Sequence, residues 1–134
     1  MVLVDSTVWI DLLRGKVSRS VAVLRGLLED GDATVAPVIV QEVLQGAASP
    51  ESLAELAARF LALPLLEPRP GVATHAAAAA LYARCRWRGV TPRSPHDCLI
   101  AQIAIEHRVP LLHDDRDFER LAEVEQRLDL IARR

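Results

Sequence analysis

The chain has 134 residues, of which 51% are hydrophobic and 25% charged, and its formal net charge is −2. This composition is typical of one globular domain with a core of its own; it excludes a disordered chain and gives no overall charge that would attract nucleic acid. Two lone cysteines make no disulfide framework, no stretch reaches the ~18 apolar residues of a membrane span, and the N-terminus lacks a signal-peptide pattern, so we expect a cytoplasmic protein without a membrane segment.

Short apolar runs alternate with helical patterns in the first half of the chain. Val2–Val4 predicts a buried strand, because it is a short run rich in β-branched residues. A helix follows until Gly15, and a second helix ends at Gly31. Residues 34–36 predict another strand, after which Pro37 begins a third helix at a position that proline tolerates.

The second half of the chain continues this alternation. Its predicted elements are, in order, a helix from Ser49, a possible strand at 63–67, an alanine-rich helix at 72–88, a helix from Pro95 to about 108, a strand at 110–112, a helix at 115–127 and a possible edge strand at 130–131. Short strands alternating with helices predict an α/β fold: a single domain over residues 1–134, with a short central parallel sheet flanked by helices.

Acidic residues follow the predicted strands closely. Asp5 ends the first strand, Glu42 lies early in the helix after the second, and Asp115 follows the strand at 110–112. Asp97 lies in the first turn of the helix before that strand. Ligands in parallel sheets bind beyond the carboxyl ends of the strands, where these acids would repel one another unless a hard cation such as Mg²⁺ or Mn²⁺ shares them.

Each acid also has a purely structural interpretation. Asp97 suits the first turn of a helix, Asp114 or Asp115 suits a helix N-cap, and Glu42 would be ordinary on a solvent-facing helix surface. Asp5 is the hardest to explain structurally, because an acid directly at the end of a buried strand is uncommon. The metal-site hypothesis therefore depends on the four acids occurring together.

Four segments resemble the motifs of PIN-domain nucleases, in the family's order and over nearly the whole chain. They read LVDSTVWID at residues 3–11, VIVQEV at 38–43, HDCLIAQIA at 96–104 and LLHDDRDF at 111–118. The small size and single domain make the chain most similar to the VapC toxins of type II toxin–antitoxin systems. His113 stands where many PIN domains have threonine or serine.

The resemblance implies a Mg²⁺- or Mn²⁺-dependent endoribonuclease with one PIN domain. It implies that the metal is held by Asp5, Glu42, Asp97 and Asp115, with Asp117 as a possible outer ligand. Ser6, Thr7 and His113 would orient these ligands or a bound water. It also implies two protein partners, a VapB-like antitoxin and a second copy of the chain, and RNA as the substrate.

Arginines form the candidate RNA contacts. No acid lies between Glu67 and Asp97, whereas five arginines do. Phosphate contacts supply most of the affinity for nucleic acid, so we predict RNA binding by arginines that flank the acidic pocket: Arg84, Arg88, Arg93 and Arg116. The alternative is a solvated helix end with cations favoured by the helix dipole. Trp87 would stack on a base, lie in the core, or contact a second copy.

Two other functions remain open from the sequence. A catalytically silent PIN domain would bind RNA or protein without cleaving it, and it would tolerate the loss of an acid; all four are present. A metal-free ribonuclease would use His96 and His113 as acid and base. The sequence leaves open which RNA is cleaved and whether one or two metal ions are used.

Overall fold

Three short parallel strands form the centre of the computed structural model, which describes residues 1–131. The strands are β1 (Val2–Val4), β2 (Ala33–Thr34) and β3 (Leu111–Leu112), in the order β2-β1-β3. Leu3 of β1 is in register with Thr34 on one side and Leu111 on the other. All three strands therefore end at the same edge. The last three residues of the expected 1–134 domain lie outside the described residues.

Helices surround the sheet. Within residues 1–131 they are α1 (Ser6–Leu13), α2 (Arg19–Asp30), α3 (Pro37–Leu44), α4 (Pro50–Leu61), α5 (Ala73–Trp87), α6 (Pro95–His107) and α7 (Arg116–Val124). The α/β fold with a parallel sheet flanked by helices is confirmed. In this part of the chain, no helix has the length and apolar character needed to cross a membrane.

Helix boundaries follow the capping residues in the sequence. Ser18, Ser49 and Ser94 each accept a hydrogen bond from a backbone N–H in the first turn of α2, α4 and α6. Gly31 ends α2 with a φ of 74°, a left-handed conformation that favours glycine. Arg108 ends α6 with a φ of 55°, which is unusual for a residue with a side chain.

The core lies between the sheet and the helices. Phe118 of α7 is fully buried, and Trp9 of α1 meets Phe60 of α4 edge to face with ring centroids 4.9 Å apart. The Trp9 indole Nε1–H donates to the Val4 carbonyl at 3.1 Å, which satisfies its one polar atom. The two cysteines are free and buried, as expected for thiols that serve as small apolar side chains.

Two predicted strands are shorter than expected. Residues 63–67 contribute one parallel bridge, Leu65 to Val35, and residues 130–131 one bridge, Leu130 to Leu111. Pro64 interrupts the first segment and Pro68 follows it, and proline cannot donate a ladder hydrogen bond. The helix expected at 115–127 ends at Val124. None of these differences changes the element to which a candidate acidic residue belongs.

Candidate active site

Asp5 lies at the junction of β1 and α1, where its backbone leaves the sheet. Its carboxylate is the N-cap of α1: Oδ2 accepts from the Thr7 hydroxyl at 2.6 Å and from the Thr7 backbone N–H at 3.4 Å. The residue is only 3% exposed. Burial raises the pKa of Asp5 to about 6 despite the Thr7 hydrogen bonds, and the charge of Glu42 adds to the increase. Ser6, the first residue of α1, is buried beside it.

Glu42 reaches the same region from α3. Its Oε1 is buried and has no hydrogen-bond partner among the described residues, and its Oε2 lies 3.7 Å from His96 Nδ1. A buried carboxylate oxygen without a partner is unfavourable unless a ligand satisfies it. This oxygen therefore has the character of a ligand atom.

Asp97 is the electrostatic centre of the cluster. It lies in the first turn of α6, after the Ser94 cap. Burial raises its pKa to about 7, with further contributions from the negative charges of Asp5, Asp115 and, to a smaller extent, Asp117 and Glu42. Asp97 therefore interacts electrostatically with all four of the other acids. One carboxylate oxygen each of Asp97, Asp115 and Asp117 lie within 4.8 Å of one another.

Asp115 is the N-cap of α7, and His113 holds its backbone. Asp115 N–H donates to His113 Nδ1 at 3.2 Å. The imidazole is 1% exposed and rests against Phe118, with ring centroids 5.5 Å apart. His113 therefore supports the turn that presents Asp115. This structural role differs from the acid–base role that a metal-free ribonuclease would assign to His113.

Asp117 is bound by arginine. Its Oδ2 accepts from Arg93 Nε and from the Arg93 backbone N–H, each at 3.1 Å, while Arg93 Nη2 donates to Asp115 Oδ1 at 2.8 Å. Burial favours protonation of Asp117, but the Arg93 hydrogen bonds and charge outweigh it and lower the pKa. Sequence reasoning missed this pairing and assigned Arg93 only to RNA, because a contact between residues 24 apart depends on how the loop before α6 folds back.

The candidate RNA-binding arginines occupy two places. Arg93 and Arg116 line an open cleft of ≈ 470 Å³ together with the acids of the β3–α7 turn. Arg88 is exposed at the end of α5. Arg84 instead pairs with the buried Glu125, Nη2 to Oε1 at 3.2 Å, so part of its charge is already used within the fold. A larger cavity of ≈ 750 Å³ near the far end of α6 contains none of the four predicted catalytic acids.

The side chain of Trp87, which lies between Arg86 and Arg88 in the sequence, is exposed. Trp87 lies at the end of α5 with 80% of its surface accessible, which excludes the core interpretation and leaves base stacking or contact with another chain.

The donor set of the pocket fits a hard divalent cation. Its oxygen ligands are carboxylates, two of them have pKa values raised towards neutrality, and one buried oxygen has no partner among the described residues. A cation favours the ionised form of each acid and so offsets the mutual repulsion. Mg²⁺ and Mn²⁺ both prefer such ligands.

The fold and the site together define a class of protein: an α/β domain whose acids converge at the carboxyl edge of a parallel sheet. A family model described as PIN domain matches residues 2–124. VapC ribonuclease Mb1587 of Mycobacterium bovis and ribonuclease VapC11 of Mycobacterium tuberculosis are each 33% identical to the chain over 126 residues, which covers 92% of this chain and 93% of each relative. The chain belongs to the PIN-domain family and, within it, to the VapC ribonucleases.

Solved structures share the fold. A VapBC2 complex from Rickettsia felis, bound to a DNA fragment from its promoter, has a TM-score of 0.74 at 15% identity and covers 98% of both chains. A toxin–antitoxin complex from Klebsiella pneumoniae has a TM-score of 0.72 at 16% identity and covers 100% of this chain and 98% of the other. At these identities the comparison describes the fold alone.

Proposed function

We propose that the chain is the toxin of a type II toxin–antitoxin system, a divalent-metal-dependent endoribonuclease that hydrolyses RNA phosphodiester bonds. One observation carries the proposal: acids from four separate segments meet at one edge of the sheet, and the fold keeps them there despite their mutual repulsion. The VapC ribonuclease relatives, similar over most of the chain, support ribonuclease activity.

The residues divide the chemistry between them. Asp5, Glu42, Asp97 and Asp115 would hold Mg²⁺ or Mn²⁺. When bound, such a cation would make a water more acidic and neutralise charge on the phosphoryl oxygens. Water would add to phosphorus as the bond to the 3′-oxygen breaks and that oxygen takes a proton, which leaves a 5′-phosphate and a 3′-hydroxyl.

Neighbouring groups orient these ligands. The Thr7 hydroxyl fixes one oxygen of Asp5, the backbone of Ser6 begins the helix behind it, and the imidazole of His113 fixes the turn that carries Asp115. Conserving this geometry matters because a misplaced carboxylate loses part of its hold on a small cation.

A cleavage assay tests the function. Purified protein incubated with single-stranded RNA at pH 8 should cleave it with Mg²⁺ or Mn²⁺ and stop when the metal is chelated. Asp5→Asn should abolish cleavage, because it removes a ligand charge while keeping the size of the side chain. Asp30→Asn is the matched control. This acid is exposed at the end of α2, shortly before β2 begins at the edge of the sheet opposite the acids, so its loss should leave cleavage unchanged.

Two results would contradict the proposal. Cleavage that persists after complete chelation, or full activity of Asp5→Asn, would show that the acids do not act through a metal. Wild-type protein that binds RNA but does not cleave it under any divalent-metal condition would favour a silent binding module.

An antitoxin of the VapB type and a second copy of the chain are the proposed protein partners, with the cytoplasm as the expected compartment. The K. pneumoniae structure is a toxin–antitoxin complex, and the R. felis structure is VapBC2 bound to a DNA fragment from its promoter. Large apolar side chains are exposed at Leu61, Val72 and Trp87, with 76%, 77% and 80% of their surfaces accessible. Light scattering should give a mass about twice the 14.7 kDa of one chain; a monomer at micromolar concentration would contradict the dimer.

A further inference from the structure

We propose that Arg93 is a positioning residue of the metal site: it fixes Asp115 for metal binding, and Asp117 serves as its anchor instead of acting as a metal ligand. This inference rests on the proposed function, because it concerns how the same acidic pocket is organised.

The contacts of Asp117 commit its Oδ2 to hydrogen bonds and place an arginine beside each of its oxygens. Oδ2 receives two hydrogen bonds of 3.1 Å from Arg93, one from the backbone and one from the guanidinium. Oδ1 lies 3.9 Å from Arg120 Nη1. The Asp117 side chain is only 4% exposed, so water cannot replace these cations easily. A metal ion on Asp117 would have to share a buried carboxylate with two arginines, which is electrostatically unfavourable.

Asp115 is held at one oxygen only. Its Oδ1 accepts from Arg93 Nη2 at 2.8 Å and from the backbone N–H of Asp117 at 2.9 Å. No hydrogen bond to Oδ2 is found among the described residues. The two bonds therefore fix the orientation of the carboxylate and leave its second oxygen for a ligand, which is how outer partners orient a metal-binding carboxylate.

The same arginine joins two parts of the site. Arg93 precedes Ser94, the N-cap of α6, and Asp97 lies in the first turn of that helix. Asp115 and Asp117 begin α7. By bonding to Asp117 through its backbone as well as its side chain, Arg93 ties the start of α6 to the start of α7. It thereby sets the separation between Asp97 and Asp115, the two acids that these helices present.

Direct measurement of Mn²⁺ binding tests this role without depending on catalysis. The full-length protein at pH 8 would be titrated with Mn²⁺ and the free ion followed by electron paramagnetic resonance. Arg93→Gln should weaken binding about tenfold, the range seen when an outer partner of a metal ligand is removed. Arg120→Gln is the matched control, because it removes the same charge beside Asp117 from a side chain that lies beyond hydrogen-bond distance. Its affinity should change less than about twofold.

A double-mutant comparison tests the assignment of Asp117. If Asp117 anchors Arg93, Asp117→Asn should lose no more affinity than Arg93→Gln, and the double variant should bind like Arg93→Gln alone. Asp115→Asn should lose far more, because it removes a ligand. Arg93→Lys keeps the charge but cannot reach both carboxylates as the planar guanidinium does, so it should also bind more weakly than wild type.

The outcomes separate the two levels of the proposal. Wild type that does not bind Mn²⁺ would overturn the proposed function together with this inference. If wild type binds Mn²⁺ and Arg93→Gln binds it equally well or more tightly, the positioning role alone would be overturned. Simple competition between the arginine charge and the metal predicts the tighter binding. An Arg93→Lys variant equal to wild type would also overturn the positioning role. A loss in Asp117→Asn that exceeds the loss in Arg93→Gln would identify Asp117 as a ligand.

Turnover supplies a second readout. With RNA as substrate, Arg93→Gln should need a higher Mn²⁺ concentration for half-maximal activity and should approach the wild-type kcat when the metal is saturating. A variant that had merely lost its fold would not recover with metal. A kcat that stays low at saturating Mn²⁺, in a variant with wild-type Mn²⁺ affinity, would refute the positioning role.

Discussion

Replacing Asp97 with asparagine should stabilise the metal-free protein at neutral pH while removing its metal binding. The fold raises the pKa of this carboxyl from its ordinary value of 3.8 to about 7, through burial and through the charges of Asp5 and Asp115. A raised carboxyl pKa means that the folded state keeps a proton that the unfolded chain has already released. Stability therefore falls as the pH increases between these two values.

The size of the effect follows from that pKa difference. At about 1.4 kcal/mol per pH unit, the change from 3.8 to about 7 corresponds to about 4 kcal/mol of unfolding free energy. Asp97 is only partly buried and titrates together with Asp5, so solvent screening and coupling reduce the gain to about 2 kcal/mol at pH 8. In a domain of this size that is roughly an 8 °C rise in Tm.

Urea denaturation of the chelated protein measures it. Wild type should lose stability between pH 5 and pH 8, and Asp97→Asn should lose less over the same range, because only Asp5 then keeps a raised pKa. Added Mg²⁺ should stabilise wild type at pH 8 and leave the variant unchanged. Asp30→Asn again serves as the control for removing an exposed acid. If the chelated wild type became more stable from pH 5 to pH 8, or if Asp97→Asn were no more stable than wild type at pH 8, the account of the pocket as a repelling cluster would be wrong.

Other substitutions separate roles elsewhere in the molecule. Thr7→Val removes the 2.6 Å hydrogen bond to Asp5 and should weaken Mn²⁺ binding about tenfold in a titration, whereas Thr7→Ser should bind like wild type. Arg88→Gln should reduce the salt dependence of RNA binding by about one phosphate contact in a filter-binding series. Arg84→Gln should leave that slope nearly unchanged and lower the unfolding free energy by about 1 kcal/mol, because its guanidinium is bound within the fold. Phe118→Ala should cost about 4 kcal/mol in urea denaturation, since this ring is fully buried.

The sequence predicts the fold well where a local pattern and a local cap agree. Val2–Val4, Pro37 and Ser94 each mark an element boundary that the structure contains. It predicts poorly where pairing depends on the rest of the molecule. Residues 63–67 are apolar enough for a strand, yet they make one bridge because Pro64 within the segment and Pro68 after it cannot donate hydrogen bonds to a neighbouring strand.

For the site, the sequence supplies the acids but not their partners. The positions of Asp5 and Asp97 follow from strand and helix boundaries, so their meeting at one edge of the sheet could be expected. The hydrogen bonds between Arg93 and Asp117 could not be expected, because nothing in the sequence of the α5–α6 loop indicates where the side chain of Arg93 points. Arg84 shows the reverse: its place in an arginine-rich run suggests RNA, while its contact with Glu125 depends on the chain folding back after α7.

Two of the four proposed metal ligands also stabilise the fold through the same carboxylate. Asp5 caps α1 and Asp115 caps α7, and a helix N-cap places a side-chain oxygen beside backbone donors at the start of a helix. Both helices begin where parallel strands end, so the caps face the edge at which a ligand binds. The structural and the functional interpretations of these acids are therefore compatible. Capping fixes one oxygen of each carboxylate, which would orient the other oxygen towards a metal ion in the proposed site.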